Sequence, residues 1–237
     1  AVEEAKNSSN KKPDDPTFWK FNKDMANTYI FRFIPDAHTH LTYVEVKYHG
    51  INYFPNGKKS FLGGHCKNMV EAWSCPACAY GSKLWKTVNK SKQEDAKMWF
   101  AKNKWVSNIL MINDPVTPDN NGKVFKFEFG IQVLEKILKR NSPEASELND
   151  PQFKQYSPFD PVKGVNFIFK VKLKKFEKNN KETSQPNYEE SYFDNNITPI
   201  SASKEEMVDI LKRTYNLQDY IKKLDYLEPE RINAEVG

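Results

Sequence analysis

KWVSNILMINDPVTPDNNGKVFKFEFG, residues 104–130, is the stretch that decides the fold class. Lys104 and Trp105 open an apolar run that reads as a buried strand, and VFKFEFG (124–130) alternates apolar and polar residues at the period of two that a half-buried strand requires. Between them, DPVTPDNNG (114–122) is dense in turn formers. Strands need neighbours, and similar stretches lie on either side. YIFRFIP (29–35) places Tyr29, Phe31 and Phe33 on one face and Arg32 on the other. LTYVEVKYHG (41–50) sets Val44, Val46 and Tyr48 opposite Glu45, Lys47 and His49. VNFIFKVKLKKF (165–176) puts Phe167 in register with Phe169, Val171 and Leu173, and aligns Lys170, Lys172 and Lys174 on the other face.

Helical patterns interrupt these strands. CAYGSKLWKTVNKS continues from a cysteine knuckle, and IQVLEKILKR (131–140) spaces Ile131, Leu134, Ile137 and Leu138 for one apolar face. Ser203 and Glu206 form a capping-box pattern before MVDILKRTY. The expected fold is mainly β with helices (α+β): an OB-fold-like five-stranded barrel with an inserted metal-binding subdomain. An α+β domain carrying a metal insertion gives a similar pattern. Residues 1–17 read as a flexible arm, 18–200 as the core with the metal subdomain at about 49–80, and 201–237 as a helical C-terminal segment. Tyr29, Phe31, Phe33, Phe125, Phe127 and Phe129 are the expected core.

Phe, Tyr and Trp make up 14% of the 237 residues while all hydrophobic types reach only 38%, so part of the aromatic surface is expected outside the core. No apolar run approaches the roughly 20 residues that span a bilayer. The first residues lack the apolar stretch of a secretion signal, so a chain that is not secreted is expected. The net charge of +5 hides an asymmetry. Residues 1–181 hold 30 Lys and Arg against 19 Asp and Glu, whereas residues 182–237 hold 6 against 12. A basic body interleaved with aromatics suits a nucleic-acid partner, although a charge run alone is more often a solvated surface.

All three cysteines, Cys66, Cys75 and Cys78, fall within thirteen residues, the last two in the knuckle SCPAC. An odd number with this spacing suits a reducing compartment and a metal better than disulfides. Three thiolates and an imidazole complete a tetrahedral zinc set. The imidazole is His49 or His65; adjacent residues such as His65 and Cys66 rarely reach one metal together. Four protein ligands leave no open position, so such a site is structural. The signature of a zinc deaminase is absent, since the ligands continue as His49-Gly50-Ile51 and Cys66-Lys67-Asn68, and there is no phosphate-binding loop for ATP. No catalytic residue is expected. The chain reads as a binder, of nucleic acid or, alternatively, as a zinc-ribbon module for RNA or protein.

Single-strand binders track phosphates with cations and stack bases on rings. The candidate rings are Trp73, Tyr80, Trp85, Trp99 and Trp105, interleaved with Lys83, Lys86, Lys102 and Lys104; Lys47 adds a cation on the polar face of its strand. Each has a plainer role available: Trp85 or Trp99 could pack the metal module against the barrel, and periodicity makes Phe167 a core residue.

His49, Cys66, SCPAC, WVSNILMINDP, NNGKVFKFEFG and GVNFIFKVK occur in this order. Over residues 18 to about 225 the chain resembles the helix-destabilising single-stranded DNA-binding proteins of T-even-type phages. The resemblance implies an OB-fold with an inserted zinc subdomain holding one structural Zn2+ through His49, Cys66, Cys75 and Cys78. It implies a basic, aromatic-lined cleft for single-stranded DNA, with Arg32, Lys104, Trp105 and Phe167 at matching positions. The implied activity is coating single strands during phage replication, recombination and repair in the cytoplasm of an infected bacterium. Implied partners are the DNA, further copies of the chain along it, and phage replication and recombination proteins. The family carries a basic N-terminal arm and an acidic tail. Here residues 1–17 hold 3 basic and 4 acidic residues and the sequence ends without a long acidic run, so the chain reads as the family's core or as a divergent member.

Overall fold

The computed structural model describes residues 15–53, 60–143, 145–149, 156–178, 181–228, 230 and 232. Most of the expected N-terminal arm, 1–14, and the last residues, 233–237, lie outside them. In chain order the elements are β1 (Asn27–Ile34), β2 (Val44–Tyr53), β3 (Ser60–His65), α1 (Pro76–Trp85), α2 (Lys90–Trp99), β4 (Lys102–Asn113), β5 (Val124–Phe129), α3 (Ile131–Asn141), α4 (Ala145–Leu148), β6 (Phe167–Lys178), β7 (Lys181–Asn187), β8 (Tyr192–Phe193), α5 (Lys204–Lys212) and α6 (Leu217–Lys222).

β4 organises the sheet because it is long enough to serve three neighbours. One edge pairs with β5, from Trp105 opposite Phe129 to Leu110 opposite Val124. The other edge pairs first with β2, at Lys102–Val106, and then with β1, at Asn108–Asn113. β1 carries β6 on its far edge, β3 lies beyond β2, and β7 and β8 both pair with β6. The expected class, antiparallel β with helices, is what the chain adopts. The five-stranded barrel is corrected: this is an eight-stranded, branched sheet, and among the described residues no pairing closes it into a ring.

The turn after β4 shows how local chemistry builds this sheet. Asp114 accepts bonds from the backbone N–H groups of Val116 and Thr117 and from the Asn120 side chain, and Gly122 takes a φ of +77° that lets the chain reverse into β5. Asn89, Ser203 and Asn216 cap α2, α5 and α6 through their side-chain oxygens, as N-cap residues do.

The main core is aromatic. Tyr29, Phe31 and Phe33 of β1, Phe127 and Phe129 of β5 and Phe167 and Phe169 of β6 pack with Trp19 and Trp105, and α3 covers them with Val133, Leu134 and Ile137. Ring centroids such as Phe31–Phe127 at 5.1 Å and Phe167–Phe193 at 4.8 Å sit in the tilted range that aromatic pairs prefer. A separate cluster of Ile51, Leu62, Cys66, Cys75, Ala77, Trp99 and Leu227 holds β2, β3, α1 and α2 together. β2 changes its buried face along its length, passing from a further cluster with Val106 and Leu217 to the one around the cysteines. Val44 and Val46 are buried in its first half, whereas His49 and Ile51, of opposite parity, are buried in its second. A strand read as having one polar face thus carries a buried histidine.

Candidate metal centre and nucleic-acid interface

His49, Cys66, Cys75 and Cys78 converge. Their ligand atoms all lie within 4.8 Å of one another, with the first three residues buried and Cys78 half-buried. The β2–β3 ladder aligns two of them: His49 sits opposite Gly64, and the Cys66 N–H donates to the Lys47 carbonyl at 2.8 Å as the ladder ends. Cys75 precedes Pro76 at the start of α1, so Cys75 and Cys78 share its first turn, where the helix dipole favours thiolate. The Cys75 N–H donates to Asn68 Oδ1 at 2.7 Å, which fixes the knuckle against the preceding turn.

The cluster is close to the size of a tetrahedral cation site, with two of three edges in the expected range and the Cys75–His49 edge shorter. Metal–sulfur bonds of ~2.3 Å and metal–nitrogen bonds of ~2.0–2.1 Å give tetrahedron edges of roughly 3.5–3.8 Å. Here Cys66 Sγ to Cys78 Sγ is 3.6 Å, Cys78 Sγ to His49 Nε2 is 3.7 Å and Cys75 Sγ to His49 Nε2 is 3.2 Å. The sulfurs interact strongly. Hydrogen bonding to Cys75 and Cys78 pushes the Cys66 thiol up, while the same contacts with Cys66 and Cys78 pull Cys75 down. Burial works against a charged His49, but the Cys75 and Cys78 sulfurs raise it to about 9. His65 is outside the cluster: its ring meets Tyr48 and Tyr226, and its Nδ1 lies 3.3 Å from the Asp225 carbonyl. Of the two histidines left open by spacing, His49 is the one that stands with the cysteines.

A second site is a cleft of about 630 Å³ between the N-terminal segment, the β2–β3 ladder, the start of β4, and α6. Phe18, Phe21, Tyr48 and Tyr220 and parts of Trp19 and Phe127 line it, with Lys20, Lys23, Lys102 and Lys104 as cations and Asp15 and Glu128 as the acids. Lys104 lies 3.4 Å from Glu128. At the wall, the nearly buried Lys126 pairs with Asp15 at 3.2 Å and sits over the rings of Phe18 and Tyr220 at 4.4 and 4.6 Å. Such packing holds a cation among aromatic faces.

The sequence candidates divide between surface and interior. Lys102 and Lys104 reach the cleft. Lys47 lies 3.9 Å from Glu45 on the strand's other face. Trp73, 92% exposed with a φ of +64°, together with Tyr80, Lys83 and Trp85, stands on the outside of the metal module. Trp99, Trp105 and Phe167 are buried and offer no open ring face. Trp99 packs edge-on against Tyr80 at 4.5 Å within the metal module, and Phe167 belongs to the main core that its periodicity indicates. Arg32, placed on a surface by its strand parity, is instead fully buried. Its guanidinium donates to the Thr198 carbonyl, and Nε and Nη1 lack a partner among the described residues. Burial lowers its pKa to about 10 even though Asp160 and Tyr156 oppose the shift. The segment 156–164 and the 194–200 turn lie over the polar face of β1, so parity alone could not show the burial. Phe18, Lys20, Phe21, Lys23, Tyr48 and Tyr220 were missed. The run FWKFNK (18–23) alternates rings and lysines and was a readable signal; Tyr220 had none.

Comparison with known proteins gives the family. The profile described as gp32 DNA binding protein like matches residues 26–237. The single-stranded DNA-binding protein of Enterobacteria phage T4 is 31% identical over a 252-residue alignment covering all of this chain and 75% of the relative. The protein of the same name from Enterobacteria phage T2 is 30% identical over 233 residues, covering 90% of this chain and 70% of the relative. With a profile match over most of its length and two phage relatives at this identity, the chain belongs to the gp32-like family of DNA-binding proteins.

Proposed function

We propose that this chain binds single-stranded DNA in a sequence-tolerant way and serves phage DNA replication, recombination and repair as a coating protein. The observation that carries this reading is the cleft, in which four lysines stand among aromatic side chains, the pairing of phosphate cations with stacking surfaces that single strands require. Its relatives are single-stranded DNA-binding proteins, which favours this reading over an RNA or protein module. Lys102 and Lys104 would neutralise phosphates on one wall, with Lys20 and Lys23 on the other. The exposed Trp73, Tyr80, Lys83 and Trp85, with Lys47, are a second and more distant surface for the same strand. Arg32, Trp99, Trp105 and Phe167 support the binding surface from within.

The metal is Zn2+ on this reading, held by His49, Cys66, Cys75 and Cys78 as a cross-link between the β2–β3 ladder and α1. Four protein ligands leave no position for a reacting water, so the site stabilises and the chain is a binder, not an enzyme. The core is an opened OB-type arrangement, in which β4 exchanges β2 for β1 along one edge. Residues 1–17 act as an arm, 18–200 as the core and 201–237 as a helical segment. No helix among the described residues is long and apolar enough to cross a membrane. Action in the host cytoplasm, beside further copies and phage replication proteins, follows from the same reading. Because the protein binds only the open form, it melts weak duplexes by mass action, without ATP.

Fluorescence titration with oligo-dT and a matched duplex at two salt concentrations tests this. Quenching by the single strand alone, weaker at high salt, is expected. Equal binding to duplex would overturn it.

A further inference from the structure

The face of the β2–β3 ladder that opens to the cleft has an unusual floor. Gly50 and Gly63 sit directly opposite one another in mid-ladder, where glycine ordinarily weakens a strand. Rings occupy the space their side chains would fill. A Cβ on Gly63 would collide with the Tyr48 hydroxyl and lie 2.8 Å from the Phe61 ring, and one on Gly50 would lie 3.6 Å from Phe61. Tyr48 and Phe61 thus fold over the glycine pair from its two ends. Both stay open to solvent, at 37% and 60% exposure.

The neighbouring register supplies a cation. His65, Tyr48 and Lys102 form one rung across β3, β2 and β4, since Tyr48 pairs with His65 on one side and with Lys102 on the other. Residues directly opposite in an antiparallel ladder project from the same face, about 5 Å apart. His65 meets the Tyr48 ring edge-on at 5.3 Å, which steadies its orientation. Tyr48, Gly50, His65 and Lys102 all line the cleft. An exposed ring with a lysine beside it, over a floor cleared of side chains, matches a nucleotide, with a flat base for the ring and a phosphate for the ammonium.

We propose that Tyr48 and Phe61, seated over the Gly50–Gly63 pair with Lys102 alongside, form a nucleobase-stacking platform that continues the cleft from Tyr48 outward along the ladder. The proposal deepens the single-stranded DNA reading and rests on it. It assigns binding to the β2–β3 ladder, so the strand runs from the main sheet onto the metal module, and the metal centre behind the ladder keeps the platform rigid. Because ring stacking accepts any base, the platform is sequence-tolerant.

The test uses the whole chain and two probes of equal length: oligo-dT and an abasic oligonucleotide with the same phosphates. The proposal expects Y48L and F61L each to lose about tenfold in affinity for oligo-dT, with little change for the abasic probe, while Y48F stays near wild type. On the unmutated protein, photocrosslinking to a 5-iodouracil-substituted oligo-dT should map to Tyr48 or Phe61; this reading stands even if a variant fails to fold. Crosslinks confined to other segments would overturn the platform while leaving single-strand binding intact. A wild-type chain that does not prefer oligo-dT to duplex would overturn the underlying reading, and the platform with it.

Discussion

Cys75 is one of four residues whose ligand atoms lie within 4.8 Å of one another, close enough for one cation to tie the β2–β3 ladder to α1. On the zinc reading, such a structural ion contributes ~10–16 kcal/mol of apparent binding free energy at neutral pH. Cys75→Ser should therefore abolish stoichiometric zinc and lower the melting temperature, whereas His65→Ala should keep one zinc per chain; metal analysis of the purified variants checks both. Retained zinc in the serine variant would remove the centre from the account. His49 was legible as the ligand through its family position, but spacing alone left His65 open, because the change of buried face halfway along β2 that buries His49 is invisible in the alternation. Arg32 shows the converse. Strand parity placed it correctly opposite Phe31 and Phe33, yet segments more than a hundred residues away cover that face.

Between elements, α1 and α2 approach so closely that a Cβ on Gly81 would sit 2.9 Å from the Trp99 Cβ. Gly81→Val must push the helices apart, and overpacking of this kind costs roughly 1–3 kcal/mol, readable by denaturant unfolding. The turn joining β4 to β5 is held by a carboxylate. Burial would raise Asp114, but bonds from Asn120, the Trp19 indole and the N–H groups of Thr117 and Val116 hold it below its ordinary 3.8. Its folded-state pKa is depressed, so its contribution is present above the ordinary value and lost as pH falls through the folded one. Thermal stability should accordingly drop below about pH 4, and Asp114→Asn should flatten that part of the profile while lowering stability at neutral pH. Asp36 behaves alike, accepting from the Leu217 N–H at 2.9 Å and so tying α6 to the end of β1. Alternation made β1, β5 and β6 readable in advance, since each keeps one apolar face through most of its length. It could not reveal that β4 serves three neighbours, because pairing partners leave no mark on a strand's own periodicity.

For the whole molecule, the cleft was the least legible feature. Phe18, Tyr48, Lys102 and Tyr220 come from four distant parts of the chain and meet only once the sheet has formed. If its four lysines neutralise about four phosphates, a single-strand slope of about −0.7 per contact implies roughly 50-fold weaker binding between 50 and 200 mM salt. Lys102→Ala should reduce that slope by nearly one contact, and a titration series at several salt concentrations measures it. Two of the buried clusters lead to a last prediction. The aromatic cluster around Trp19, Phe31 and Phe127 uses none of the metal ligands, whereas the cluster of Ile51, Leu62, Cys66, Cys75 and Trp99 contains two of them. Removing the cation should loosen residues 49–53, 60–80 and the two helices first. The β1, β5 and β6 amides, buried behind a core that contains none of the ligands, should stay protected. Hydrogen exchange with and without a chelator distinguishes this from global unfolding. Selective loss of protection in β3, α1 and α2 is expected, with oligo-dT affinity falling because the cleft's second wall belongs to that part. Equal loss throughout would mean that the two clusters fold as one unit, and that the metal holds the aromatic core as firmly as its own module.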